Sequence, residues 1–259
     1  MAYLHIQMES KALGMPVPVD VLLPEYDPTG DYGIPVKGPY KTLYLLHGFR
    51  GSQSDWVFKT GILRYVRKLP LAVVMPAGNN SFYVNTRAGQ KYTDYLALEL
   101  PTIMENWFDL SPKREDRYIA GLSMGGYGTY HAAMTYPERF AKASSMSGAL
   151  DATRVFSKKN FEKQAVNLFG PREEFEGGPN DLLALAAKLK ELPEGEIPQF
   201  LSLCGEQDGL WGVNTTFQKK MEELQLPVKL ESWDGAHTWD FWDTAIQRVL
   251  EWLEIGKEG

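Results

Sequence analysis

Cysteine is almost missing from this chain: Cys204 stands alone among 259 residues. A single thiol makes no intrachain disulfide and no cysteine-based zinc site. It ends the apolar run Phe200-Leu201-Ser202-Leu203, which reads as a buried, unreactive position. Histidine is scarce as well. The four are His5, His47, His131 and His237, and no two have metal-ligand spacing, so neither a metal nor a cofactor is expected. Positive charge is in deficit, 27 Lys and Arg against 33 Asp and Glu, for a net charge of −6. An acidic chain with no basic run repels phosphate backbones, which excludes nucleic acid as a partner. No apolar window reaches the roughly 18 residues of a membrane span, so no membrane association is expected. The first residues, MAYLHIQMESKALG, lack a basic start followed by an apolar block. They do not read as a signal peptide, and the cytoplasm is the expected location.

The material present is that of a core: 44% of residues are hydrophobic and 23% charged. The length suits one domain over residues 1–259. Residues 3–9 and 17–23 read as an opening pair of strands, and 26–39, rich in Pro, Gly and Asp, as loop. Short apolar runs at 43–46, 71–76, 117–120, 141–148, 199–204 and 228–232 suit buried parallel strands. Helical patterns lie between them, at 55–68, 92–106, after Ser123 to Pro137, at 181–191, 213–225 and 239–255. Strands alternating with helices predict an α/β fold, a mostly parallel sheet with helices on both faces. Ligands of such sheets bind at the carboxyl ends of the strands. Residues 151–180 break the rhythm, and Phe156, Phe161, Phe169 and Phe175 are scattered through them.

One corner carries chemistry. In RYIAGLSMGGYGTYHAAM a strand meets Gly121-Leu122-Ser123-Met124-Gly125 and a helix follows. A sharp strand-to-helix turn exposes the serine hydroxyl, and small neighbours at 121 and 125 let backbone approach. The Met124 amide falls at a helix N-terminus, where donors are unpaired and negative charge is favoured. A serine needs a base, and in this architecture acid and histidine follow the serine along the chain. Only His237, in the loop after the strand at 228–232, lies after the acid candidates. Glu206, Asp208 and Asp234 compete for the acid. Asp208 is preferred, between the turn at Gly205 and Gly209, with the task of fixing the His237 tautomer.

The second oxyanion donor is expected after the strand at 43–46, in His47-Gly48-Phe49-Arg50-Gly51. The Phe49 amide is the choice and Gly48 the fallback. His47 reads as an orienting or packing residue, and His131 as part of its helix. Trp56, Tyr83, Trp211 and Trp239 fall near strand ends or catalytic loops and are candidates for a substrate pocket. Trp242, inside the last helix, reads as packing.

With LYLLHGFRGSQSDW, MPAGNNSFYVNT, AGLSMGGYGTYHAAMTYPERF and DGAHTWDFWDTAI in place, the chain resembles the α/β-hydrolase superfamily. Within it, the chain is similar to the esterase D group, above all to bacterial tributyrin esterases. The resemblance implies Ser123, Asp208 and His237 as triad, Phe49 and Met124 as oxyanion donors, no metal, and a small cap insertion at 151–180. It implies a small-molecule ester substrate with a short acyl chain, of acetyl to butyryl size. Esters of acetylated sugars, feruloyl esters, S-formylglutathione-type thioesters and acyl transfer are the alternatives. The cysteine that formylglutathione hydrolases carry near the oxyanion loop is missing here. Several members assemble as oligomers, which leaves a homo-oligomer open.

Overall fold

The structure is a computed structural model and describes residues 1–157, 161–226 and 228–256. Its strands are β1 Ala2–Ser10, β2 Met15–Leu23, β3 Lys41–Leu46, β4 Leu71–Pro76, β5 Arg117–Leu122, β6 Lys142–Met146, β7 Gln199–Gly205 and β8 Val228–Trp233. Among the described residues they form one eight-stranded sheet in the order β1-β2-β4-β3-β5-β6-β7-β8. β1 pairs with β2 and β2 with β4 in antiparallel fashion; every later pairing is parallel.

Alternation along the strands explains the two layers of core. Tyr44, Leu46, Ile119, Ala143 and Phe200 face one side. They pack against α4 (Leu100–Trp107), α5 (Met124–Thr135), α9 (Leu182–Leu189) and α10 (Trp211–Glu223). Leu43, Leu45, Tyr118, Ala120, Leu201 and Leu203 face the other. They pack against α1 (Asp55–Lys59), α2 (Ile62–Val66) and α11 (Trp239–Leu253). The fold is that of the α/β hydrolases, an eight-stranded, mostly parallel sheet wrapped by helices.

Two expectations change in detail. The helix expected over 55–68 is α1 and α2, broken at Thr60-Gly61. The Gly61 amide donates to Asp243 Oδ1 of α11 at 2.7 Å, a tertiary bond that the local pattern does not encode. The helix expected over 92–106 starts as α3 (Tyr92–Asp94), widens to a π-turn at Tyr95–Glu99 and continues as α4. Residues 151–180 hold α6 (Thr153–Phe156), α7 (Glu162–Phe169) and α8 (Arg172–Phe175). Phe156, Phe169 and Phe175 meet ring to ring at 5.3 to 6.0 Å, so they pack with one another and on the sheet-facing core.

Candidate active site

The site grows from the end of β5. Ser123 donates its backbone N–H to the Met146 carbonyl at 2.9 Å, the last rung of the β5–β6 ladder. The chain then turns sharply: Ser123 has φ 54° and ψ −114°, a left-handed backbone that a side chain rarely adopts. Glycines make the corner possible. A Cβ on Gly121 would lie 2.5 Å from the Gly125 carbonyl oxygen, and one on Gly125 would lie 2.6 Å from the His47 carbonyl oxygen. Helix α5 starts at once, with Met124 as its first residue and its N-terminal amides beside the serine.

The partners come from other strand ends. His237 lies in the loop between β8 and α11, and its Nε2 is 3.0 Å from Ser123 Oγ. Asp208, in the turn after β7, places Oδ2 2.8 Å from His237 Nδ1. Its Oδ1 accepts the Leu210 amide at 2.8 Å. Burial pushes the Asp208 carboxyl up. The hydrogen bonds from His237 and the Leu210 amide, together with the His237 charge and the nearby Ser147 hydroxyl, outweigh it and hold the group below the usual carboxylate range. The competing acids are elsewhere: Glu206 accepts from the Ser232 hydroxyl at 3.1 Å, and Asp234 is exposed.

The loop after β3 lies over the serine, and a Cβ on Gly48 would sit 3.5 Å from Ser123 Cβ. His47 fixes this loop. Its ring is buried, with Nδ1 2.8 Å from the Gly48 carbonyl and Nε2 accepting the Gly78 amide at 2.9 Å. Burial lowers its pKa and keeps it neutral, which suits one donor and one acceptor nitrogen. Phe49 is the next residue but one, and its ring borders the main hollow.

Two hollows meet at Ser123 and His237. The larger, about 540 Å³, is walled by Phe49, Phe82, Ala149, Val155, Phe161 and Leu210. The smaller, about 310 Å³, is lined by Gly48, Arg50, Asp55, Lys59, Trp239 and Trp242. The larger is mostly apolar, with Asp151 and Arg154 also on its wall, and the smaller carries charge at Arg50, Asp55 and Lys59. Segment 151–157, with α6, supplies one wall of the larger.

The aromatic candidates divide. Trp239 lines the smaller hollow. Trp56 and Tyr83 line neither, and their expected place in a substrate pocket is corrected. Trp56 is fully buried, with its indole N–H on the Leu46 carbonyl at 3.1 Å, and supports Trp239 edge-on from behind. Tyr83 turns inward at φ 58° and donates its hydroxyl to the His47 carbonyl at 3.2 Å. Trp211 caps the Asp208 turn, its amide on the Asp208 carbonyl at 2.9 Å, and is not among the residues lining either hollow. Trp242 is more than packing: its ring stands edge-on to His237, centroids 4.8 Å apart. Ser147, Phe82 and Val155 are the contributors that sequence reasoning passed over. For Ser147 the signal was its place directly after a strand.

His131, on α5, is buried and stacked on Tyr127, with Nε2 3.1 Å from the Pro179 carbonyl. Cys204 is buried, and its thiol is pushed up to about 12 by desolvation and by the Asp208 charge. Among the described residues no group of three or more His, Cys, Asp or Glu side chains is placed to hold a metal. No described helix is long and apolar enough to cross a membrane.

A hydroxyl on a strained strand-to-helix corner, an imidazole and a buried carboxylate in hydrogen-bond series, on this sheet, define the serine hydrolases of the α/β-hydrolase class. Comparison narrows the class. The model of the Esterase family matches residues 10–253, and the chain belongs to that family. An acetyl esterase of Caldicellulosiruptor saccharolyticus is 30% identical, aligned over 98% of each chain. Among solved structures, the serine hydrolase FphF of Staphylococcus aureus superimposes with TM-score 0.88 at 34% identity, over 97% of this chain and 98% of that one. The S-formylglutathione hydrolase FrmB of Staphylococcus aureus gives 0.85 at 33%, over 97% and 98%. The chain is a carboxylic ester hydrolase, a serine esterase.

Proposed function

We propose that the chain hydrolyses short-chain acyl esters, of acetyl to butyryl size, through an acyl-enzyme on Ser123. The observation that carries this reading is the Ser123–His237–Asp208 series, at 3.0 and 2.8 Å, opening on a mostly apolar hollow. Ser123 Oγ attacks the ester carbonyl while His237 Nε2 takes its proton. Asp208 holds the imidazole in the tautomer that leaves Nε2 free to accept, and stabilises the imidazolium. The amides of Phe49 and Met124 receive the carbonyl oxygen as it gains charge. On collapse, His237 returns the proton to the leaving alcohol. Water then attacks the acyl carbon as His237 takes its proton; the bond to Ser123 Oγ breaks, His237 returns the proton to that oxygen, and the carboxylic acid is released. The apolar hollow receives the acyl chain, and the smaller, charged hollow beside Trp239 receives the alcohol.

The test is release of p-nitrophenol from the acetate, butyrate, octanoate and decanoate esters, run with Ser123→Ala. The expected result is a loss of turnover in the variant by about a thousandfold or more, with the shorter esters preferred. Wild-type turnover no better than the variant's on every ester would sink the reading. Acetylated sugars, feruloyl esters, S-acyl thioesters and transfer to glycerol, assayed alongside, separate it from its neighbours in chemistry.

A further inference from the structure

Two serines, not one, break backbone rules at this end of the sheet. Leu122 and Met146 are paired in register, so Ser123 and Ser147 leave adjacent strands side by side. Each extends the ladder by one bond, Ser123 N–H to Met146 and Ser147 N–H to Leu203, the latter at 2.7 Å. Each then turns to positive φ, 54° and 49°. Glycine is the residue that adopts such a backbone freely, and a serine there is strained. At 123 the strain has a purpose in exposing the hydroxyl. At 147 the side chain is fully buried, so exposure is not the reason.

Its surroundings supply one. Ser147 Oγ accepts the indole N–H of Trp242 at 3.1 Å, which fixes the oxygen and leaves its own proton for another acceptor. The acceptors beside it are the Asp208 carboxylate and the Cys204 thiol. A carboxylate accepts far more strongly than a thiol, so the proton goes to Asp208. Trp242 meanwhile holds the edge of the His237 ring. The indole therefore touches the base directly and, through Ser147, the acid.

We infer that Ser147 is a positioning residue, its hydroxyl donating to Asp208 and, with Trp242, setting the carboxylate and the imidazole in one geometry. The inference rests on the Ser123–His237–Asp208 reading. The titratable groups facing Asp208 are His237 from the loop after β8 and Cys204 from β7, and the thiol stays protonated through the working range.

The test compares Ser147→Gly and Ser147→Ala with wild type. Glycine relieves the backbone strain, which offsets the loss of an acceptor for the Trp242 indole, and the melting point of each variant checks that the fold is kept. The expected result is a fall in kcat of about tenfold in both, with KM unchanged, since one hydrogen bond to a charged group is lost. The carboxylate, short of a donor, becomes the stronger partner of the imidazolium, so the acidic limb of kcat/KM moves to higher pH. The low-field proton resonance of His237 Nδ1–H shifts with it, a readout independent of turnover. A Ser147→Gly enzyme with wild-type kcat, pH profile and resonance overturns the inference. Failure of the underlying reading looks different: Ser123→Ala would then retain activity, whatever happens at 147.

Discussion

His237 Nδ1 and Asp208 Oδ2 are 2.8 Å apart, yet the carboxylate side chain is fully buried and the imidazole is 37% exposed. The buried end is held by the Leu210 amide as well, so both carboxylate oxygens have a fixed partner. Asp208→Asn keeps the shape, removes the charge and favours the tautomer with the proton on Nε2. The expected loss in kcat is on the order of 10³- to 10⁴-fold. Circular dichroism and the melting point check that the fold is kept.

His131 should mark its presence in the pH dependence of stability. Desolvation depresses it from the ordinary 6.5 to about 4 in the folded chain. The unfolded chain therefore binds a proton that the folded chain refuses. Stability rises with pH between about 4 and 6.5 and is level above that window, as far as this group is concerned. At about 1.4 kcal/mol per unit, the whole window is worth about 3 kcal/mol. Urea midpoints of wild type and His131→Gln, which keeps a donor for the Pro179 carbonyl, should converge by roughly that amount between pH 7 and pH 4. Parallel curves would refute it.

Trp56 is a support, not a contact for substrate, and its variant should behave so. Trp56→Phe deletes the bond to the Leu46 carbonyl and leaves a small void behind Trp239. The expected cost is about 2 kcal/mol of unfolding free energy, with kcat and KM both within about twofold of wild type. A large rise in KM at unchanged stability would restore a binding role.

Val155, half-buried on α6, borders the larger hollow but none of the reacting groups in hydrogen-bond reach. Val155→Trp should fill the far part of that space. The expected outcome is a drop in kcat/KM of more than about tenfold for the octanoate ester and a change under about threefold for acetate. Equal losses on both esters would place the acyl chain elsewhere.

What the chain declares of itself depends on how local each cause is. The corner at Ser123 is legible because its steric needs are met by residues two positions away, Gly121 and Gly125. His237 is legible by elimination among four histidines, and Asp208 by the turn that Gly205 begins. The aromatic positions are not legible, because an indole or phenol points where tertiary packing sends it. Trp56 goes into the core on a five-residue helix, and Tyr83 is folded inward by a left-handed backbone. Helices α6 and α8, of four residues each, are too short to print a period. Ser147 hides in a serine-rich strand end, and only the approach of Trp242 from the last helix gives it meaning.

The three proposed reactive groups do not ride on equally firm ground. Ser123 leaves a central strand flanked on both sides, whereas the loop bearing His237 hangs from β8, which among the described residues is paired on one side only and is half-buried to exposed along its length. Edges of a sheet open locally before the middle does. The catalyst should thus fail by dislocation before it fails by melting: in rising urea, turnover is lost while the backbone spectrum still reports an intact sheet. A chemist seeking to harden this esterase gains more from stitching β8 to its neighbour than from refilling the core.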